Sequence, residues 1–197
     1  MEPIDRLRSI IVHMSGMSTE DFDLSISYWQ PKKYKRGEFY NEYKNVCRHL
    51  GFVSTGVFRI YKFLDESAIE KNIQFFTNDQ FMTSYKSFFN QESCEYYTES
   101  MTEADILYIH YDHLQHLYKT SHAWERFGRI FAQTVLNAIM NNTEAILFKS
   151  PEQRYVELIR VHPDIFKAIP LYHIASYLGI EGPSLSRIRK RMALKDI

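Results

Sequence analysis

The spacing of apolar and polar positions changes along this chain, and the changes divide it. Near the start, Ile4, Leu7, Ile10 and Ile11 recur at helical spacing. Ser18, with Glu20 and Asp21 behind it, predicts the N-cap of a second helix through Phe22, Leu24 and Ile26. From residue 29 to residue 113 the period shortens. Aromatic and β-branched residues gather in runs broken by turn formers: Gly56–Leu64, Ala68–Phe76, Cys94–Met101 and Ala104–Tyr111. In the first run Val57, Arg59, Tyr61 and Phe63 alternate with Phe58, Ile60, Lys62 and Leu64, and Asp65, Glu66 and Ser67 predict a hairpin turn into the second. Short strands at this spacing predict a small antiparallel barrel or roll.

Residues 114–148 return to a helical period, as one long helix or a short one running into a long one. Trp124, Phe127, Phe131, Val135, Ala138 and Ala145 form a stripe, with Asn142 interrupting it. A helix over Ser121–Phe148 is roughly 40 Å long at the usual rise, too long to bury such a stripe on a small roll alone. Two readings follow: a dimer helix, in which Asn142 would set register, or a helix lying across its own roll and covering its exposed face. Ser150 and Pro151 then read as the cap and first residue of another helix, with Tyr155, Leu158 and Ile159 inward and His162-Pro163 ending it.

The stretch Ile169–Met192 predicts two short helices and a tight turn. Pro170 opens the first, and Ile174, Ala175 and Leu178 face inward. Gly179 supplies the turn, Ile180 fills the angle, and Pro183 opens the second helix with Leu185 and Ile188 turned to the core. The outward face carries Ser184, Ser186, Arg187, Arg189, Lys190 and Arg191, as a helix-turn-helix placing its second helix in the major groove requires. The expected fold class is α+β: helices and an antiparallel β-roll over 1–113, a long helix over 114–148, and a helix-turn-helix domain over 149–197.

Composition refines this picture only slightly. Apolar residues make up 45% and charged residues 24% of the 197, as in ordinary globular chains. No apolar run approaches the roughly 18 residues of a membrane span, and the opening MEPIDRLRSI lacks a signal-peptide apolar region. Cys47 and Cys94 make neither a disulfide framework nor a metal-ligand spacing, so a cytoplasmic protein with reduced thiols and no membrane association is expected. The net charge of zero hides an asymmetry. Residues 149–197 hold nine Lys/Arg against five Asp/Glu, and residues 1–148 hold fifteen against nineteen. A basic third behind an acidic body fits a DNA-binding part joined to something else.

Motifs of common enzymes are missing: no Gly-rich phosphate loop, G-x-S-x-G, H-E-x-x-H or Cys-x-x-Cys occurs, so no enzyme activity is expected. Two cysteines cannot supply the four thiolates of an iron–sulfur cluster. His110, His113 and His116 recur by threes at a strand end and helix start, which leaves a haem or metal site open. Exposed polar residues beside Tyr108, Tyr111 and Tyr118 are the favoured reading, and no metal is predicted.

The segments IASYLGI and SLSRIRK resemble the winged-type C-terminal helix-turn-helix of the Crp/Fnr superfamily of bacterial transcription regulators, in the form common in Bacteroidetes. YKRGEF, GVFRIY and IQFFTNDQFMTSYKSF resemble the cyclic-nucleotide-binding-type roll of that family, and SPEQRYVELI its hinge. The resemblance implies a homodimer joined by the long helix and bound to double-stranded DNA, with RNA polymerase as a further partner. It places Arg187 at the recognition-helix arginine, within reach of a guanine edge. Ser184 and Ser186 would contact bases or phosphate, Arg189, Lys190 and Arg191 phosphate, and Tyr172 and His173 the DNA backbone.

The sequence departs from the family at two places. Family members that bind cyclic nucleotides carry a Gly-Glu pair and an Arg. Here the matching regions read Asn78–Thr83 and Gln91–Glu95, with Cys94 or Glu95 at the Arg position. Cyclic AMP binding is therefore not expected, no cofactor is predicted, and a small-molecule effector stays undefined. Pro183 follows Gly182 where the family has a base-reading acid, and Glu181 is the nearest acid, so the half-site should differ from the usual TGTGA-like sequence. An alternative remains: a ligand-binding or interaction module with a degenerate helix-turn-helix, a reading favoured mildly by the six residues that follow Arg191.

Overall fold

The structure, a computed structural model, describes residues 1–64, 69–163 and 165–193. It opens with α1 (Pro3–Ser15) and α2 (Thr19–Asp23). Ser18 caps α2 in a capping box with Asp21. The helix stops earlier than its apolar positions predict, and Leu24 is exposed. Buried Ser25 is the cause: its hydroxyl donates to the Phe22 carbonyl (2.7 Å) and accepts from Trp29 Nε1 (3.1 Å), so the chain turns there.

The roll follows as β1 (Trp29–Tyr34), β2 (Phe39–Asn41), β3 (His49–Thr55), β4 (Phe58–Leu64), β5 (Ile69–Phe76), β6 (Phe81–Met82), helix α3 (Tyr85–Asn90), β7 (Tyr97–Ser100) and β8 (Ala104–His110). Two antiparallel four-stranded sheets result, ordered β1-β8-β3-β6 and β2-β7-β4-β5. The turn predicted at Asp65, Glu66 and Ser67 lies outside the described residues. Alternation along β4 sends Phe58 and Ile60 into a core between the sheets with Tyr34, Val53, Phe76, Met82 and Ile106. Arg59, Tyr61 and Phe63 therefore take the outer face of the second sheet.

Helices α4 (Tyr111–Thr120) and α5 (His122–Phe148) cover the outer face of the first sheet. Trp124, Phe127, Phe131 and Val135 pack there with Leu7, Phe22, Leu50, Phe81, Ile109 and Leu114. The Trp124 indole donates to the Asp21 carbonyl at 2.8 Å. The expected dimer stripe is thus corrected: these four side chains are buried within their own chain and cannot face a second copy. Ala138, Asn142 and Ala145 continue the same stripe into a cleft against the C-terminal helices. A different face is uncovered, and its Leu136, Ile139, Met140 and Leu147 are each at least half exposed. Sequence spacing found the stripe but could not say which of two partners it meets.

The remaining described residues form α6 (Pro151–Val161), α7 (Ile165–Ala168), α8 (Leu171–Tyr177) and α9 (Gly182–Ala193), with no strand among them. Ser150 and Gln153 make a capping box at the start of α6. Tyr155, Leu158, Ile165, Ile174, Leu178, Leu185, Ile188 and Met192 form their core, which also takes in Val57, Phe75 and Met101 of the roll. No described helix is long and apolar enough to cross a membrane.

Candidate nucleic-acid interface

Helices α8 and α9 make a compact pair because the turn between them is fixed. Gly179 holds φ at +66°, a region that suits a residue without a Cβ. The Ile180 amide then donates back to the Ala175 carbonyl at 3.0 Å. Arg154 of α6 braces the turn, donating from Nη2 to the Leu178 carbonyl at 2.7 Å. Leu185, Ile188 and Met192 anchor α9 to the core.

Spacing on α9 leaves the opposite face to solvent. Ser186, Arg187, Arg189, Lys190 and Arg191 are exposed and Ser184 is half-buried. Arg187 Nη2 donates to Ser184 Oγ at 3.1 Å, so the two residues expected to reach base edges already form one unit. Arg191 pairs with Glu152 of α6 at 2.8 Å, which holds it at the rim of the face. Tyr172, at the start of α8, is 64% exposed.

His173 lies elsewhere. It is only 3% exposed and points into the roll, not outward toward a duplex. Alternate positions of α8 meet two different surfaces: Ile174 and Ala175 pack on the helical core, while His173 and Ser176 meet β5.

At that contact the roll presents a charged cluster. Arg59 Nη2 and Nε both donate to Glu99 Oε2, at 2.6 and 2.9 Å, and Nη1 donates to Glu70. Its guanidinium lies 3.8 Å from the centre of the Tyr61 ring. Arg59 Nη1 also donates to His173 Nδ1 at 2.8 Å, which requires the neutral tautomer protonated on Nε2. Asn72 Nδ2 donates to the His173 carbonyl, the Asn72 amide donates to Ser176 Oγ (3.0 Å), and Ser176 Oγ donates to the Glu70 carbonyl (2.9 Å). The Phe75 and Tyr177 rings meet beside them at a tilt, their centres 5.3 Å apart. Burial, and then Arg59, hold the His173 pKa down at about 4, against a smaller upward pull from Glu70. Sequence reading missed this cluster, because alternation puts Arg59 and Glu99 on the outer face of the sheet and nothing local says that a distant helix covers it.

FixK2 of Bradyrhizobium japonicum superposes on this chain with a TM-score of 0.71 at 16% identity over 86% of each chain. A putative regulator of the Crp/Fnr family from Eubacterium rectale gives 0.68 at 18% identity, over 91% of this chain and 85% of that one. The c-di-GMP responsive global regulator CLP of Xanthomonas campestris gives 0.63 at 15% identity, over 91% and 93%. The chain shares their fold. No protein-family model and no curated protein sequence matches it.

Between the roll's two sheets, Tyr34, Val53, Phe58, Ile60, Phe76, Met82 and Ile106 form a buried core. The Tyr34 ring meets Phe58 edge-on at 5.4 Å, and the Tyr40 hydroxyl donates to the His49 carbonyl at 2.7 Å. Along the segment aligned with the nucleotide cassette, Thr83, Ser84, Ser87 and Cys94 are buried. Ser87 Oγ accepts from the Cys47 amide and donates to the Glu92 carbonyl, so its hydroxyl is used internally.

The three spaced histidines have structural partners. His110 caps α4 through Nδ1, accepting from the Asp112 amide, and His113 stacks on Tyr28 at 4.5 Å. His116 meets the same ring edge-on at 6.4 Å. Among the described residues no group of three or more His, Cys, Asp or Glu is arranged to hold a metal ion.

Proposed function

We propose that the chain is a homodimeric, sequence-specific DNA-binding transcription regulator of the Crp/Fnr type found in Bacteroidetes. In this reading it acts in the cytoplasm, catalyses no reaction, does not answer to cyclic AMP, and engages RNA polymerase once bound. The observation that carries the reading is α9: a helix anchored on one face by Leu185, Ile188 and Met192 and bearing Ser186, Arg187, Arg189 and Lys190 on the other. Arg187 reads one guanine through its two-pronged edge, with Ser184 fixing its direction. Arg189 and Lys190 neutralise phosphate, and Tyr172 reaches the backbone from the start of α8. Arg191 joins them only by giving up Glu152, and His173 has no place in the set.

The dimer seam in this reading is the uncovered face of α5 with Leu136, Ile139, Met140 and Leu147 at coiled-coil spacing. Two copies would offer two α9 helices to an inverted repeat with half-sites one helical turn apart. The cassette's missing Gly-Glu and Arg, together with the buried core between the roll's sheets, support the exclusion of cyclic AMP.

The test is selection of duplexes from a random pool, followed by fluorescence anisotropy over a salt series. One inverted repeat should be enriched. Arg187→Ala should weaken that duplex by about 1–3 kcal/mol and relax choice at one position. Equal weakening on enriched and random duplexes would remove Arg187 from base reading, and a pool that enriches nothing favours an interaction module instead.

A further inference from the structure

We propose that the cleft between α5, α6 and α8 is a binding site for a small neutral ring compound with an amide edge, a carboxamide or a lactam, held by Asn142. The inference stands apart from the DNA-binding reading of α9, so either can fail without the other.

Packing along α5 supplies the first argument. The stripe that closes the roll begins with Trp124, Phe127, Phe131 and Val135, all buried. Its continuation shrinks to Ala138, Asn142 and Ala145, and the facing helices α6 and α8 do not fill the difference. A cleft of about 450 Å³ is left, in the size range of small-molecule sites. Helix contacts elsewhere in proteins are packed to crystal-like density, so a gap of this size sets the joint apart. Asn142 lies four residues after Ala138 and three before Ala145, which puts its amide between two methyl groups on one helix face. A flat ring can lie against either methyl and reach the amide with its edge. The polar residue that interrupts the stripe thereby gains a use.

The polar groups of the lining supply the second. Among the described residues the Asn142 amide and the Tyr177 hydroxyl have no hydrogen-bond partner, and both residues line the cleft. A side-chain amide carries donor and acceptor side by side, so another amide complements it with two bonds at once. Burial, and then Glu157, raise the Tyr177 pKa, so the hydroxyl keeps its proton and can donate to a carbonyl oxygen. Leu158, Val161 and Leu178 make the facing wall apolar.

Charge supplies the third. The charged side chains of the lining are Glu144, Lys149, Arg154 and Glu157, two of each sign. Lys149 donates to both Glu157 oxygens, at 3.0 and 2.8 Å. Arg154 donates from Nη1 to the Lys149 carbonyl and from Nη2 to the Leu178 carbonyl. An anion would have to break one of these contacts, and a cation would meet only the exposed Glu144. A neutral ligand disturbs none of them.

Isothermal titration calorimetry on the full-length protein tests the proposal, with nicotinamide, uracil and the cyclic dipeptide of leucine and phenylalanine as probes. Nicotinate, which has the shape of nicotinamide and a negative charge, is the control. The expected result is saturable binding of one neutral probe per chain, with nicotinate weaker than that probe by about tenfold or more. Asn142→Leu keeps the size and removes the amide, and Ala138→Phe fills the slot beside it. Both positions are exposed, so unchanged circular dichroism is expected of each variant. Each should weaken the bound probe by about tenfold or more. Nicotinate binding as tightly as the neutral probes would overturn amide recognition and make the cleft an anion site at Lys149 and Arg154. Binding that both substitutions leave unchanged would overturn the location. No binding of any probe at millimolar concentration would overturn the site and leave the cleft a gap in packing.

Discussion

Gly56 holds φ at +103° between β3 and β4, its amide donating to Asn78 Oδ1 at 2.9 Å. A Cβ there would lie 2.5 Å from Ala104 Cβ and 2.8 Å from the Glu103 carbonyl oxygen. Gly56→Ala therefore combines backbone strain with a clash against a neighbouring backbone, and should lower unfolding free energy by more than about 2 kcal/mol in chemical denaturation. His173 makes a prediction of the opposite kind, about pH. Its ring faces Arg59 from β4, Glu70 and Asn72 from β5 and Tyr172 from its own helix, with Glu99 behind the guanidinium and Arg36 contributing at longer range. Docked, its pKa is about 4; released into water it returns toward the ordinary 6.5. The released state then binds more protons, so docking is at full strength above about pH 6.5 and weakens as pH falls toward 4, by up to about tenfold per unit. Distances between spin labels on the roll and on α6 should lengthen over that window, and a His173→Gln variant should lose the dependence. On α9 the sequence revealed which residues face outward, because Leu185 and Ile188 set the inner face. On α8 it did not. Apolar residues mark only one covered side of that helix, and its other covered side is polar.

α5 carries the clearest lesson at the scale of the element. Its 27 residues include two apolar faces, and helical spacing picks out the more regular one. That face is large and aromatic because it closes the roll, whereas the exposed face mixes Leu136, Ile139 and Met140 with polar neighbours. If the exposed face is the dimer seam, Leu136→Glu combined with Met140→Glu should leave the helical content unchanged by circular dichroism and shift sedimentation from dimer to monomer. A wild-type chain that sediments as a monomer would refute this seam. Other elements differ in how plainly they are written. Ser150, Pro151 and Gln153 announce α6 with cap chemistry that is local by nature. β3 announces nothing: Leu50 to Ser54 are buried without a break, so its period-two signal is absent. α2 ends where Ser25 finds partners in Phe22 and Trp29, a contact no propensity contains.

For the whole molecule, the order of parts was readable: short helices, strands, a long helix, then a helix pair with a basic face. Each follows from a change of period or a Gly or Pro at a turn. How the parts dock was not readable, since Val57, Phe75 and Met101 look like ordinary roll residues until the C-terminal helices are seen resting on them. α5 has one further consequence. Its first half is clamped to the roll through Trp124, Phe127 and Phe131, while its second half touches mainly the groove beside α6. It is a lever with a fixed root. The free half from Leu136 to Phe148 is roughly 20 Å long, so a tilt of about 10° at the roll carries its tip about 3 Å. A rearrangement too small to notice inside the roll would then be read, at the far end, as a change in the stride between two DNA-reading helices.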